Sequence, residues 1–389
     1  MLSIGMFTYS TKPRGSVVHA ASLAEALVTA GHDVTLYALA KAGAAFFRPV
    51  SCALDLIAAG EAPAANGALV RQRIDEFVTG FNDRPMDHDV FHAQDCLAAS
   101  ALLAAGSRTR GRVARTVHHV DRFDDAYLDA CQRRSILQAD AVFSVSRMTR
   151  REVREQFGRE TYLVHNGVDP ARFAGVRHCA SIRSKHGIPE DATVILSIGG
   201  VEPRKNSRRA LAAMARVFAR EPRIAWVVGG GESIWDHGEY HAAFDRELRG
   251  LPLALQSRIV RTGAIADEDL TALYGASDVL LCPSLHEGFG LCVLEAMAAR
   301  TAVVASAREP FTEYLDETNA VLVDPESVEA IANAVAALVA EPARRERLAR
   351  AAAGAVARFS WASSAALHVA HYAEHTRQAR HTEERSRDA

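Results

Sequence analysis

The chain has 389 residues, of which 49% are hydrophobic and 24% charged, with a formal net charge of −2. That length exceeds one hydrophobic core and suits two domains, and the near-neutral charge excludes a general electrostatic pull toward nucleic acid. The six cysteines (Cys52, Cys96, Cys131, Cys179, Cys282, Cys292) form no Cys-x-x-Cys pair, which gives no zinc site and suits a reduced, cytoplasmic setting, while no basic-then-apolar leader opens the chain and no run approaches the length of a membrane span.

In chain order, Leu2–Thr8 reads as a first strand and Tyr9–Ser16 as a loop of small residues. Val17–Ala30 follows as a helix whose Val17, Ala21, Ala24 and Val28 share one face, closed by Gly31. Further strands are expected at Val34–Leu39, Asp89–Ala93, Arg112–Val117, Ala139–Val145 and Tyr162–Val164, with helices at Leu97–Ala105 and, rich in arginine, Met148–Phe157. Asp95 stands at a strand end, where α/β sheets place ligands, and also just before a helix; the cap reading is preferred. Asp121, Asp124 and Asp125 read as part of an interdomain loop. Asn166-Gly167 is a turn signal, and Pro170–Pro189 reads as the crossing to a second domain.

That domain opens with a strand at Thr193–Ile198 and continues with strands at Ile224–Val228, Arg258–Thr262, Val279–Cys282, Ala302–Ala305 and Ala320–Asp324. Helices are expected at Ser207–Phe218, from Asp267 through Tyr274, and at Leu291–Ala299, Val328–Leu338 and Pro342–Ala357. The loop Gly229-Gly230-Gly231-Glu232 suggests close approach of backbone to a ligand. Asp267-Glu268-Asp269 opens a helix, where the dipole accounts for the acids without a metal. Arg377–Ala389 mixes both charge signs with few apolar residues and is expected to fray. The alternation, six or seven strands and then six, argues for an α/β protein with two Rossmann-like doubly wound parallel-sheet domains facing across a cleft.

The chain is organised around Asp278–Ser306, a strand, a glycine-rich bend, a helix and a strand. Gly288 and Gly290 permit backbone angles that a Cβ forbids and leave room for a ligand against the main chain. The helix that follows offers unpaired N–H groups and a positive dipole end. Glu287 stands at the mouth of the bend and Glu295 about a turn into the helix. Each carboxylate has two acceptor oxygens and can hold a vicinal diol.

Glu287 and Glu295, with seven residues between them and Gly288-Phe289-Gly290 after the first, resemble the signature of retaining nucleotide-sugar glycosyltransferases of the two-Rossmann (GT-B) type, glycosyltransferase family 4, also called glycosyl transferases group 1. The resemblance spans nearly the whole chain. It implies an acceptor domain at 1–172, a nucleotide-sugar donor domain at 173–358, a helix at 361–378 crossing back onto the first domain after Phe359-Ser360-Trp361, and a disordered tail at 379–389. The implied reaction moves a sugar from a nucleoside-diphosphate-sugar to a hydroxyl acceptor, with retention of configuration, no metal and no cofactor beyond the substrate.

The resemblance also assigns residues. Glu287 and the backbone of Gly288, Phe289 and Gly290 would bind the sugar. The helix start at Gly290, Leu291 and Cys292, with Arg204 and Lys205, would hold the diphosphate. Glu295 would take the ribose, the region of Gly263 the base, and Gly15 and Ser16 the donor phosphates. His118 would reach the transferred sugar, donating to it with an imidazole that titrates near working pH; His119 should point the other way. Asn166-Gly167-Val168-Asp169 matches a turn ending the first domain, and Glu313 matches a further family glutamate. Three departures stand out: Gly15 alone where the family has paired glycines, Gly200 where many relatives carry Arg, and Arg300 where relatives carry Gly. They keep a non-catalytic nucleotide-sugar binder open, with Arg204 as a substitute for the contact missing at Gly200, while the scaffold itself, which can also serve a phosphorylase or an epimerase, keeps those classes open. The arginines from Arg147 to Arg154 are the candidate for peripheral membrane contact, but Glu152 and Glu155 dilute them and only Phe157 offers an anchor, so a soluble acceptor is favoured. Donor base, donor sugar and acceptor leave little mark in residue identity, because main-chain contacts and loop shape set them.

Overall fold

The structure, a computed structural model, describes residues 1–387 apart from 64, 107–110, 176–179 and 232–236, and side chains as far as residue 374. Cys179 and Glu232 of the sequence reading lie outside the described residues, as do 388–389 of the expected tail.

The chain divides into two compact units, Met1–Gly167 with Trp361–Ala389, and Val168–Ser360. The first is built on β1 (Ser3–Thr8), β2 (Asp33–Lys41), β3 (Ala53–Ala59), β4 (Val90–Ala93), β5 (Arg112–Val117), β6 (Ala141–Ser144) and β7 (Tyr162–Leu163). They form one parallel sheet in the order β3-β2-β1-β4-β5-β6-β7. The second unit carries β8 (Thr193–Ile198), β9 (Ile224–Gly229), β10 (Ile259–Gly263), β11 (Val279–Cys282), β12 (Ala302–Ser306) and β13 (Val321–Val323), parallel in the order β10-β9-β8-β11-β12-β13. Central strands such as β4, β9, β11 and β12 are buried along their whole length, as parallel strands covered on both faces must be.

Both orders run outward from the middle. Each sheet therefore has a switch point, between β1 and β4 in the first unit and between β8 and β11 in the second. Loops leaving neighbouring strands there diverge and open a crevice at the carboxyl ends, where ligands of this architecture bind.

Several expectations need correction. Nothing in the sequence reading covered β3 or the helix Asn66–Asn82. The aspartates read as an interdomain loop belong to the first unit, where Asp125 caps the helix Ala126–Leu137 by accepting from the amides of Tyr127 and Leu128 at 2.8 and 3.2 Å. The crossing segment holds a 3₁₀ turn at Pro170–Phe173 and a helix at Ala180–Lys185. The final helix runs Trp361–Arg387. Ala365 and Tyr372 on that helix share the first unit's core with Val17, Leu23, Leu27 and Phe143. No described helix is long and apolar enough to cross a membrane.

Candidate active site

At the switch point of the second unit the exits of β8 and β11 are laced together. The amides of Gly199 and Gly200 donate to Gly229 O at 2.8 and 3.0 Å, which folds the β8 exit over the triple-glycine loop. Gly200 has φ +73, and a Cβ there would lie 2.7 Å from the Gly231 carbonyl oxygen. The arginine of the relatives has no room on this backbone, so the departure is built into the loop. Asn206, in the left-handed region at φ 60, donates to the carbonyls of Pro283 at 3.0 Å and Pro325 at 2.6 Å. Leu285 N closes the pairing on Arg204 O at 2.8 Å.

This lacing brings Arg204, Lys205 and Glu287 together. Glu287 is buried; Lys205 Nζ donates to Oε1 at 2.5 Å, Ser284 Oγ to the same oxygen at 3.0 Å, and Arg204 Nη1 to Oε2 at 3.2 Å. Arg204 Nε also pairs with Glu202 at 2.8 Å. Burial would raise the Glu287 carboxyl, but the charges of Lys205 and Arg204 and the bonds from Lys205 and Ser284 outweigh it and hold it down to about 2. Burial likewise opposes the Lys205 ammonium, and Glu287 overrides it and raises the group above its ordinary range.

The bend after Glu287 is fixed by an aromatic cluster. Phe289 is buried, stacked on Tyr314 with ring centroids 5.2 Å apart and edge-on to Phe359 at 5.5 Å, and Tyr314 Oη donates to Phe289 O at 2.8 Å. Phe289 therefore offers a ligand its backbone and not its ring. Gly290 has φ +93, and a Cβ there would overlap the Phe311 ring. The helix Leu291–Ala298 begins next. The amides of Leu291 and Cys292 fall in the first turn, which has no intrahelical acceptors. The Cys292 side chain is buried against Cys282, sulfur to sulfur 3.9 Å. Gly288 is half-buried beside Glu287. Gly263, with φ +65, ends β10, two strands away from the switch point.

Glu295 sits in a separate cluster. It is buried, Tyr274 Oη donates to its Oε2 at 2.8 Å, and no described residue bonds the other oxygen. Burial pushes this carboxyl up, with the Tyr274 bond and the Arg172 charge opposing. Asp267 and Asp269, the acids weighed as a metal pair, are taken by Arg172 and Lys185, each at 2.5 Å. Among the described residues no group of three or more His, Cys, Asp or Glu is placed to hold a metal.

In the first unit, Asp95 is a cap: its oxygens accept from Ala98 N at 2.8 Å and Tyr9 N at 2.9 Å. Gly15 and Ser16 open the helix Gly15–Thr29 where the β1 loop ends, so their amides lie in a first turn as well. His118 leaves β5 with Nε2 bonded to Gln94 Oε1 at 3.0 Å. That bond makes Nε2 the protonated nitrogen and leaves Nδ1 as an acceptor. Burial, aided by the nearby His19 and Arg115, holds His118 well below the ordinary imidazole range. It is thus a neutral acceptor, where the sequence reading expected a donor titrating near working pH. His19 lies edge-on to His118 at 4.7 Å and bonds Asn166 Oδ1 at 2.9 Å, so the Asn-Gly turn buttresses the histidine. His119 turns away to Asp121 at 3.2 Å.

The sequence reading missed Ser284, Tyr274, Tyr314 and Gln94. Ser284 had a local signal in its three-residue spacing to Glu287; the other three reach their partners only through the fold. Phe157, the one anchor on the arginine helix, lies under the Arg133 guanidinium at 5.2 Å, a cation–π contact.

Comparison with known proteins covers both units. The family model described as Glycosyltransferase Family 4 matches residues 13–172, and that described as Glycosyl transferases group 1 matches residues 180–354. A D-inositol 3-phosphate glycosyltransferase of Xylanimonas cellulosilytica is 29% identical over 311 residues, 75% of this chain and 73% of the relative. A phosphatidyl-myo-inositol mannosyltransferase of Mycobacterium tuberculosis is 28% identical over 364 residues, 90% of each. Among solved structures, the sucrose-phosphate synthase of Thermosynechococcus elongatus superposes with a TM-score of 0.81 at 22% identity, covering 96% of this chain and 99% of that one. Anabaena HepE in complex with UDP-glucose does so with a TM-score of 0.76 at 18% identity, covering 96% and 99%. These likenesses show the fold as GT-B.

Proposed function

We propose, for a chain that belongs to the family 4 (group 1) glycosyltransferases, that the sugar of a nucleoside-diphosphate-sugar passes to an acceptor hydroxyl with retention of configuration and with neither metal nor protein nucleophile. The observation that carries this reading is the convergence of Lys205, Arg204 and Ser284 on Glu287, next to a helix start at the switch point of the second unit. Lys205, Arg204 and the amides of Leu291 and Cys292 take the diphosphate, where leaving-group charge develops. Gly15 and Ser16 add amides to the donor phosphates, and Gly263 offers backbone to the base. Glu287, with the backbone of Gly288, Phe289 and Gly290, takes the sugar hydroxyls, and Glu295 the ribose. His118 Nδ1 accepts from a hydroxyl of the transferred sugar.

Before the donor arrives, the two cations are occupied by Glu287. Arrival of the diphosphate redistributes these partners: the cations turn to phosphate, and the carboxylate is released to the sugar. The acceptor oxygen then bonds to the anomeric carbon as the bond from that carbon to the diphosphate oxygen breaks. The acceptor proton passes to the departing phosphate on the same face, so the reaction balances without a protein base. The free thiols of the described cysteines support a reducing compartment, the cytoplasm.

The test is release of nucleoside diphosphate from UDP-glucose and GDP-mannose, with and without inositol phosphates and with EDTA. Inositol phosphates are the first acceptors to try because relatives are named for them. The expected result is release that an acceptor stimulates and EDTA leaves unchanged. A requirement for inorganic phosphate would make the chain a phosphorylase, and tight donor binding without turnover would make it a binder.

A further inference from the structure

We infer that Tyr274 is a positioning residue of the donor site: its hydroxyl holds one oxygen of Glu295 and thereby presents the other to the ribose diol of a nucleoside diphosphate. The inference rests on the reading of Glu295 as the ribose-binding carboxylate. Tyr274 lies in the helix Asp267–Gly275, is fully buried, and is fixed on several sides. Phe173 of the 3₁₀ turn meets its ring edge-on at 5.8 Å, and Thr301 Oγ1 donates to its carbonyl at 2.9 Å. Its hydroxyl reaches Glu295 Oε2 at 2.8 Å, and no described lysine or arginine pairs with that carboxylate.

The choice of a phenol matters chemically. A buried carboxylate needs donors. An arginine in this place would fork onto both oxygens and leave none for a ligand. A tyrosine has one proton to give, and burial keeps the phenol protonated by raising it well above its ordinary range. It therefore saturates Oε2 and leaves the lone pairs of Oε1 for neutral hydroxyl donors, which a vicinal diol supplies in pairs. The pair Tyr274–Glu295 is thus built to separate a ribonucleotide from a nucleotide lacking both ribose hydroxyls. The turn Pro170–Phe173 supports the pair from behind.

The test measures dissociation constants of UDP and GDP and of their 2′,3′-dideoxy counterparts for the full chain and for Tyr274→Phe, Glu295→Gln and the double variant. The wild type should favour the tighter-binding ribonucleotide over its dideoxy form by about tenfold or more. Tyr274→Phe keeps the ring and its packing; it should weaken the ribonucleotide about three- to tenfold and leave the dideoxy form unchanged. In the Glu295→Gln background the same change should matter less than twofold, the coupling that a purely structural tyrosine would not show. The double variant holds no unpaired buried carboxylate, so it keeps the cycle readable if Tyr274→Phe alone folds poorly. Loss of the ribose preference in Glu295→Gln but not in Tyr274→Phe would overturn the role of Tyr274 and spare that of Glu295. A ribose preference that survives Glu295→Gln would overturn both.

Discussion

Glu287 is buried, and its state is settled by a contest between desolvation and three donors. The donors win and hold the carboxyl down to about 2, against an ordinary 4.5. A carboxyl depressed on folding contributes stability above its unfolded value and loses it as pH falls toward the folded one. The acid limb of the stability curve between about pH 4.5 and 2 should therefore carry this group. Glu287→Gln should flatten that limb and, by leaving Lys205 buried without a counter-charge, cost about 3–5 kcal/mol at neutral pH. UDP should then raise the melting temperature of the variant more than that of the wild type, because the diphosphate supplies the missing negative charge. Equal shifts in the two proteins would contradict the partner exchange proposed for this site. Gly290 sets a steric limit on the same loop. Gly290→Ala places a Cβ at φ +93 against the Phe311 ring, and should cost about 2–5 kcal/mol in a denaturant melt, summing left-handed strain and overpacking. A loss under 1 kcal/mol would mean that the bend is looser than its aromatic anchors imply.

Among the elements, the terminal helix Trp361–Arg387 is attached through histidines. His368 lies 6.2 Å from His19 and 5.4 Å from His92, ring to ring, and Tyr372 bonds His92. Burial lowers His19 to about 3 and His368 to about 4, and brings His92 and His118 well below their ordinary range. A histidine lowered on folding is neutral in the native state and charged in the unfolded one. Its contribution is thus intact above about pH 6.5 and falls as pH drops toward the folded values, by about 1.4 kcal/mol per pH unit for each group. Thermal melts of the first unit should shift down steadily between pH 7 and 5, and His368→Leu should reduce the slope. A midpoint independent of pH over that range would contradict a neutral cluster. Apolar runs such as Val279–Cys282 announced their strands. In β3, by contrast, the run Ala53–Ala59 is apolar except for Asp55, yet Leu54 is exposed, Asp55 pairs with Arg84 at 2.8 Å and only Ile57 is buried, so that run has no alternation to mark an edge strand. The helix Ala126–Leu137 hid behind its own capping aspartate. Glu287 and Glu295 were legible from their spacing, but their partners were not. Lys205 lies 82 residues from Glu287 and Tyr274 21 residues from Glu295, and only the fold, which seats β8 beside β11, brings the former pair together.

Across the whole molecule, two sheets repeat one strand order, and each carries a helix start at its switch point. Chemistry is shared unequally between them. The second unit holds the charged groups Arg204, Lys205, Glu287 and Glu295, while the first holds the neutral His118, fixed by Gln94. That division fits the donor role proposed for the second unit, since the diphosphate is the charged part of the donor. The most direct test compares Glu287→Gln and Glu295→Gln in paired assays of nucleoside diphosphate affinity and sugar transfer. Glu287→Gln should cut transfer by about 100-fold or more without weakening nucleotide binding, while Glu295→Gln should weaken nucleotide binding by about tenfold or more. Small and equal effects of the two changes on both quantities would contradict the division of the donor between these carboxylates.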